Sequence, residues 1–116
     1  MAERERLICE SAALAEGGRG IRFEVERHGQ SQPAFVVRFD GQPRAFLNQC
    51  GHIPVELDWQ AGEFFDDSRL YLICATHGAL YHPASGECVG GRCAGRGLIT
   101  LPVAERDGHV YVMETQ

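Results

Sequence analysis

Two Cys/His pairs constrain this chain more than any other feature. Cys50-Gly51-His52 is followed, after 21 residues, by Cys74-Ala75-Thr76-His77. Thiolate and neutral imidazole are ligands that both iron and zinc accept. A lone Cys or His is an ordinary core residue, but two pairs in two short loops point to a metal centre. Two arrangements satisfy the set. A single tetrahedral Zn²⁺ can take all four residues, or a [2Fe–2S] cluster can place Cys50 and Cys74 on one iron and His52 and His77 on the other. Zinc sites usually separate paired ligands by two or more residues, so the one-residue gap between Cys50 and His52 favours two adjacent metals.

The surrounding pattern reads as strands throughout. Arg44 to Leu47 runs through Asn48-Gln49 into Cys50, and Leu70 to Ile73 runs into Cys74, so each ligand loop hangs from a strand. Upstream, Leu7 to Cys9 forms a short strand with Cys9 as a small buried residue, and Ser11 to Glu16 forms a helical turn limited by glycines. Ile21, Phe23 and Val25 alternate with charged residues, the mark of a half-buried strand. His28 to Pro33 reads as a loop and Ala34 to Phe39 as a strand. Asp40-Gly41 and Asp107-Gly108 are tight-hairpin signals. Ala79 to Tyr81 leaves the second ligand loop, turns at Ser85-Gly86 and pairs with Glu87 to Val89. Leu98 to Ala104 and His109 to Met113 flank the last hairpin. With no long amphipathic helix, the expected fold is all-β and antiparallel, a small sandwich or barrel in one domain over residues 1–116.

Composition removes several classes of function. The chain has no apolar run long enough to span a membrane, and its charged beginning lacks an apolar signal core, so no membrane association and a cytoplasmic location are expected. A net charge of −5 disfavours nucleic acid. It favours a protein partner with a basic docking patch, facing the acidic segment that carries Glu56, Asp58, Glu63, Asp66 and Asp67. Cys9, Cys88 and Cys93 remain outside the ligand set, an odd number that argues against a disulfide framework, and Cys88 and Cys93 are expected as free thiols. Gly90 to Gly97 is glycine-rich but lacks the Lys-Ser/Thr ending of a phosphate loop. His28, His82 and His109 do not combine with a carboxylate as a mononuclear iron site requires, so no catalytic residue is assigned.

Cys-x-His followed by Cys-x-x-His-Gly resembles the Rieske motif, and the resemblance extends over about residues 34–113. It implies an antiparallel Rieske (ISP-like) fold, with a cluster-binding subdomain of about residues 44–97 inserted into a base of flanking strands. It implies one [2Fe–2S] cluster per chain, with Cys50, His52, Cys74 and His77 as its metal ligands. A third loop then covers the cluster at Gly90 to Gly97, with Arg92 where proline is usual. The disulfide-stapled respiratory members carry an extra cysteine in each ligand loop; those positions are Val55 and Thr76 here. Two positions tune the potential in that group: a serine that is Ala79 in this chain and a tyrosine that is kept as Tyr81. The chain thus resembles the soluble Rieske ferredoxins that pass electrons from a reductase to an aromatic-ring oxygenase, an electron-transfer role and not an enzyme acting alone. The alternatives are a small Rieske subunit of a larger reductase or oxidase and a zinc-stabilised interaction module.

Overall fold

The computed structural model describes residues 3–27, 29–49, 56–58, 60–75, 78–91 and 96–115. Among these residues, ten strands run in the order β1 (Glu3–Glu10), β2 (Ile21–Arg27), β3 (Gln30–Phe39), β4 (Gln42–Leu47), β5 (Leu72–Ile73), β6 (Leu80–Tyr81), β7 (Cys88–Gly90), β8 (Thr100–Leu101), β9 (Val103–Arg106) and β10 (His109–Thr115), with a 3-10 turn at Ser11–Ala13. They form three antiparallel sheets: β1-β10-β9, β2-β3-β4-β8 and β5-β6-β7. The third sheet lies, in sequence, between β4 and β8. Asp40 and Gly41 take φ of 56° and 74°, and Asp107 and Gly108 take 52° and 77°. Two successive positive φ values make the tight turn whose twist matches its strands, hence Asp-Gly at both hairpins. No helix among the described residues is long and apolar enough to cross a membrane.

β3 joins two cores. Ala34, Phe35, Val36 and Val37 are all completely buried. Because side chains alternate across a strand, Ala34 and Val36 pack with Val25, Ala45, Leu47, Val110 and Val112 on one face. Phe35 and Val37 pack on the other with Phe46, Leu57, Phe64, Leu72, Cys74 and Tyr81. Phe35 stacks on Phe64 with ring centroids 3.9 Å apart. One face therefore closes the base, and the other seats the third sheet.

Several expectations are corrected. β1 begins at Glu3 and not at Leu7, because it pairs with β10 from Glu3↔Thr115 onward. Of the expected loop His28 to Pro33, Gln30 to Pro33 belong to β3, and Pro33 pairs with Glu24; His28 lies outside the described residues. Pro33 is tolerated because it is exposed and sits where β4 has just ended, its carbonyl accepting from Asn48 N at 2.9 Å. Leu98 to Ala104 is not one strand. Pro102 divides it, so that β8 joins the sheet of β4 and β9 that of β10. Leu70 and Tyr71 lie outside β5, in a turn closed by Asp66 N donating to Tyr71 O at 2.9 Å, with Arg69 at φ 63°.

Cys88 is disulfide-bonded, against the expectation of a free thiol. Its bonding partner, like Cys93, lies outside the described residues. Gly91 takes φ 80° directly after β7. Cys9 is a half-buried thiol whose pKa burial pushes up. Beside it Arg38 ties the 3-10 turn to the sheet. Its guanidinium donates to Leu14 O at 2.7 Å and to Glu105 Oε2 at 2.5 Å, and holds the Glu105 carboxyl below the usual carboxylate range.

Candidate metal centre

Of the four expected ligands, Cys74 is among the described residues; Cys50, His52 and His77 lie outside them. Cys74 sits at the end of β5, completely buried, and takes no part in a disulfide. Its backbone is held on both sides. Cys74 N donates to Ala79 O at 2.9 Å, and Gly78 N donates to Cys74 O at 2.8 Å. Gly78 has φ 70°, which reverses the chain between Cys74 and Ala79. The potential-tuning candidates Ala79 and Tyr81 follow directly, both completely buried in the same apolar cluster as Cys74.

The chain after β7 packs backbone to backbone on this loop. A Cβ on Gly91 would lie 2.7 Å from both Ala79 Cα and Gly78 O. Only glycine fits at such a contact, and the position also needs positive φ. The glycine-rich stretch is expected to cover the cluster; the fold adds that Gly91 packs on the second ligand loop, which no local pattern reveals.

The stem of the first loop is fixed by a buried polar group that sequence reading passed over. Asn48 is 1% exposed. Its Oδ1 accepts from Leu57 N at 2.8 Å, and its Nδ2 donates to Asp58 Oδ1 at 3.2 Å. Leu57 O in turn accepts from Ala75 N at 3.0 Å. Asp58 Oδ2 accepts from Gly62 N at 3.1 Å and lies 3.7 Å from Arg22 Nε. The one signal available was a polar residue directly after the apolar run Ala45-Phe46-Leu47.

This geometry changes the reading of the acidic segment. The Asp58 side chain has no exposure at all. It is a structural acceptor and not part of a docking face, because a buried carboxylate needs several donors. Glu56 pairs with Arg22 at 2.7 Å and Glu63 with Arg19 at 3.4 Å. Asp66 accepts from Ser68 Oγ at 2.7 Å, and Asp67 is exposed.

Cys74 suits an iron ligand: a buried cysteine at a strand end, its loop held by main-chain bonds. Comparison with known proteins agrees. The model of the Rieske [2Fe–2S] domain family matches residues 5–114. No curated protein matches the chain in sequence. Among solved structures, the chain is similar to one in the complex of reduced oxygenase and oxidized ferredoxin in carbazole 1,9a-dioxygenase, with TM-score 0.71 and 22% identity, covering 97% of this chain and 95% of that one. It is similar to the ferredoxin of carbazole 1,9a-dioxygenase from Nocardioides aromaticivorans IC177, with TM-score 0.70 and 17% identity over 96% of this chain and 98% of that one. The terminal oxygenase of carbazole 1,9a-dioxygenase from Novosphingobium sp. KA1 gives TM-score 0.73 and 24% identity over 97% of this chain, which spans only 30% of that one. Identities this low establish the fold, an antiparallel all-β one as expected. The family match extends over nearly the whole chain and includes both Cys/His pairs, so the chain belongs to the Rieske [2Fe–2S] domain family, whose members bind one such cluster.

Proposed function

We propose that this protein is a one-electron carrier that passes electrons from a reductase to an oxygenase-type partner. Cys50 and Cys74 would hold one iron and His52 and His77 the other, within a subdomain of about residues 44–97 that contains the third sheet. The bound cluster supplies a one-electron couple whose neutral imidazole ligands raise its potential relative to four thiolates. The observation that carries this reading is Cys74, buried and pinned at a strand end inside a family match that spans both Cys/His pairs. The likeness to a ferredoxin and to an oxygenase–ferredoxin complex supports the oxygenase as recipient. A cytoplasmic location is part of the same proposal.

The protein contributes positioning and a dry setting for the ligands, not a catalytic group. A partner with a basic docking patch would meet Asp66 and Asp67, the two segment acids without an arginine partner among the described residues. The primary test is iron and acid-labile sulfide analysis of protein made anaerobically with ample iron. About two of each per chain are expected; stoichiometric zinc without sulfide would overturn the reading. For docking, neutralising Asp66 and Asp67 should flatten the salt dependence of association with the oxygenase. An unchanged slope removes those two residues from the interface.

A further inference from the structure

Asn48 lies two residues before Cys50, and Ala75 lies one residue after Cys74. The two stems are far apart in sequence, yet one side chain and the backbone of one residue, Leu57, connect them. Asn48 Oδ1 takes the N–H of Leu57, and the carbonyl of Leu57 takes the N–H of Ala75, at 2.8 and 3.0 Å. Asn48 is itself fixed to the base by its own N–H on Pro33 O at 2.9 Å. The amide has one possible orientation, because its oxygen meets a donor and its nitrogen meets the Asp58 carboxylate. Both Asp58 oxygens are engaged, and Arg22 Nε stands 3.7 Å behind.

Resting on the reading of Cys50 and Cys74 as ligands, we propose that Asn48 is a positioning residue that locks the two ligand-loop stems in register, with Asp58 holding its amide in orientation. The chemistry of the position is narrow. Aspartate would set two carboxylates against each other, leucine would leave the Leu57 N–H and Asp58 Oδ1 without this partner, and glutamine would displace the amide by a methylene. Asparagine alone accepts and donates at these distances. Polar groups behind metal ligands fix ligand orientation, and their loss typically weakens metal retention about 10–100-fold.

The test compares the cluster-loaded wild-type protein with Asn48→Ala, Asp58→Asn and Val112→Ala. Val112 is completely buried in the base core, away from the loops, so its variant reports the effect of destabilisation alone. Iron release to a ferrous chelator is followed well below each melting temperature, together with the electron resonance of the reduced state. Asn48→Ala is expected to release iron at least about tenfold faster than Val112→Ala and to shift the resonance, with Asp58→Asn in between. Release no faster than Val112→Ala, with an unchanged resonance, would reduce Asn48 to an ordinary stabilising residue and overturn the proposal. Should Asn48→Ala not fold, Asp58→Asn decides by the same two readouts. Iron and sulfide in the wild-type protein test the ligand reading separately: their absence sinks that reading, whereas a loaded wild type with indifferent variants sinks only this proposal.

Discussion

The base and the third sheet each have a buried apolar cluster but differ in what is added to it. In the base, β1 and β10 pair over almost their full length, and β2 and β3 over seven residues, around a core of Val25, Ala34, Val36, Leu47, Val110 and Val112. In the third sheet the strands are two or three residues long. Strands that short cannot hold a structure by their ladders. The apolar cluster of Phe35, Phe46, Leu57, Phe64, Leu72 and Tyr81 does so, together with main-chain bonds at Cys74, Ala75 and Gly78, the buried Asn48–Asp58 group and the contact at Gly91. The lesson is that both regions bury apolar side chains, but the base adds long strand ladders whereas the site adds directional bonds at its loops. Substitutions in the two regions should therefore fail in different ways.

Phe35 tests whether the regions are separable at all, since it lies on β3 and stacks on Phe64 across the boundary. Phe35→Ala should cost about 3–5 kcal/mol of global stability, measured by chemical denaturation. A loss confined to the third sheet would show that the base folds independently of it.

Gly91→Ala should act locally. Its Cβ meets main-chain atoms that cannot move aside, and overpacking of this kind costs about 1–3 kcal/mol. Hydrogen exchange should accelerate at the amides of Cys74 and Gly78 while the β1–β10 ladder stays protected. Uniform acceleration would erase the distinction between the regions.

Tyr81→Phe probes the site through its potential. If the hydroxyl favours the reduced cluster by about 1 kcal/mol, the usual net scale of a hydrogen bond, its loss should lower the potential by roughly 40 mV. Ala79→Ser, which adds a donor at a completely buried position, should raise it. Voltammetry showing no shift in Tyr81→Phe would make the tyrosine a packing residue only.

The smallest effect belongs to the base. Arg38 holds the Glu105 carboxyl below its ordinary value, so the stabilisation is complete above the ordinary carboxylate range and is lost as pH falls through the depressed value. Glu105→Gln should remove about 1 kcal/mol at neutral pH, a figure kept low because the carboxylate is 27% exposed. It should also flatten the acid limb of the stability curve. An unaltered acid limb would mean that the pair is screened.

Local features were legible because they depend on neighbouring residues alone. Asp40-Gly41 and Asp107-Gly108 specify their turns through the two residues that must take positive φ. The alternation of Ile21, Phe23 and Val25 revealed a half-buried strand. Ala34 to Val37 has no alternation, because both faces of β3 are covered, and the run by itself does not say what covers them. Asp58 looked like part of an acidic surface because formal charge carries no record of burial.

The sequence by itself determined the all-β class, the Cys/His pattern and the family, since residue type and short spacing carry all three. Tertiary structure alone decided that Pro102 sends β8 and β9 to different sheets, that Gly91 lies on Ala79, and that Asn48 and Asp58 face inward between the loop stems. Those are contacts between residues far apart in the chain. Their free energy depends on approach and on exclusion of water, and neither exists until the chain has folded.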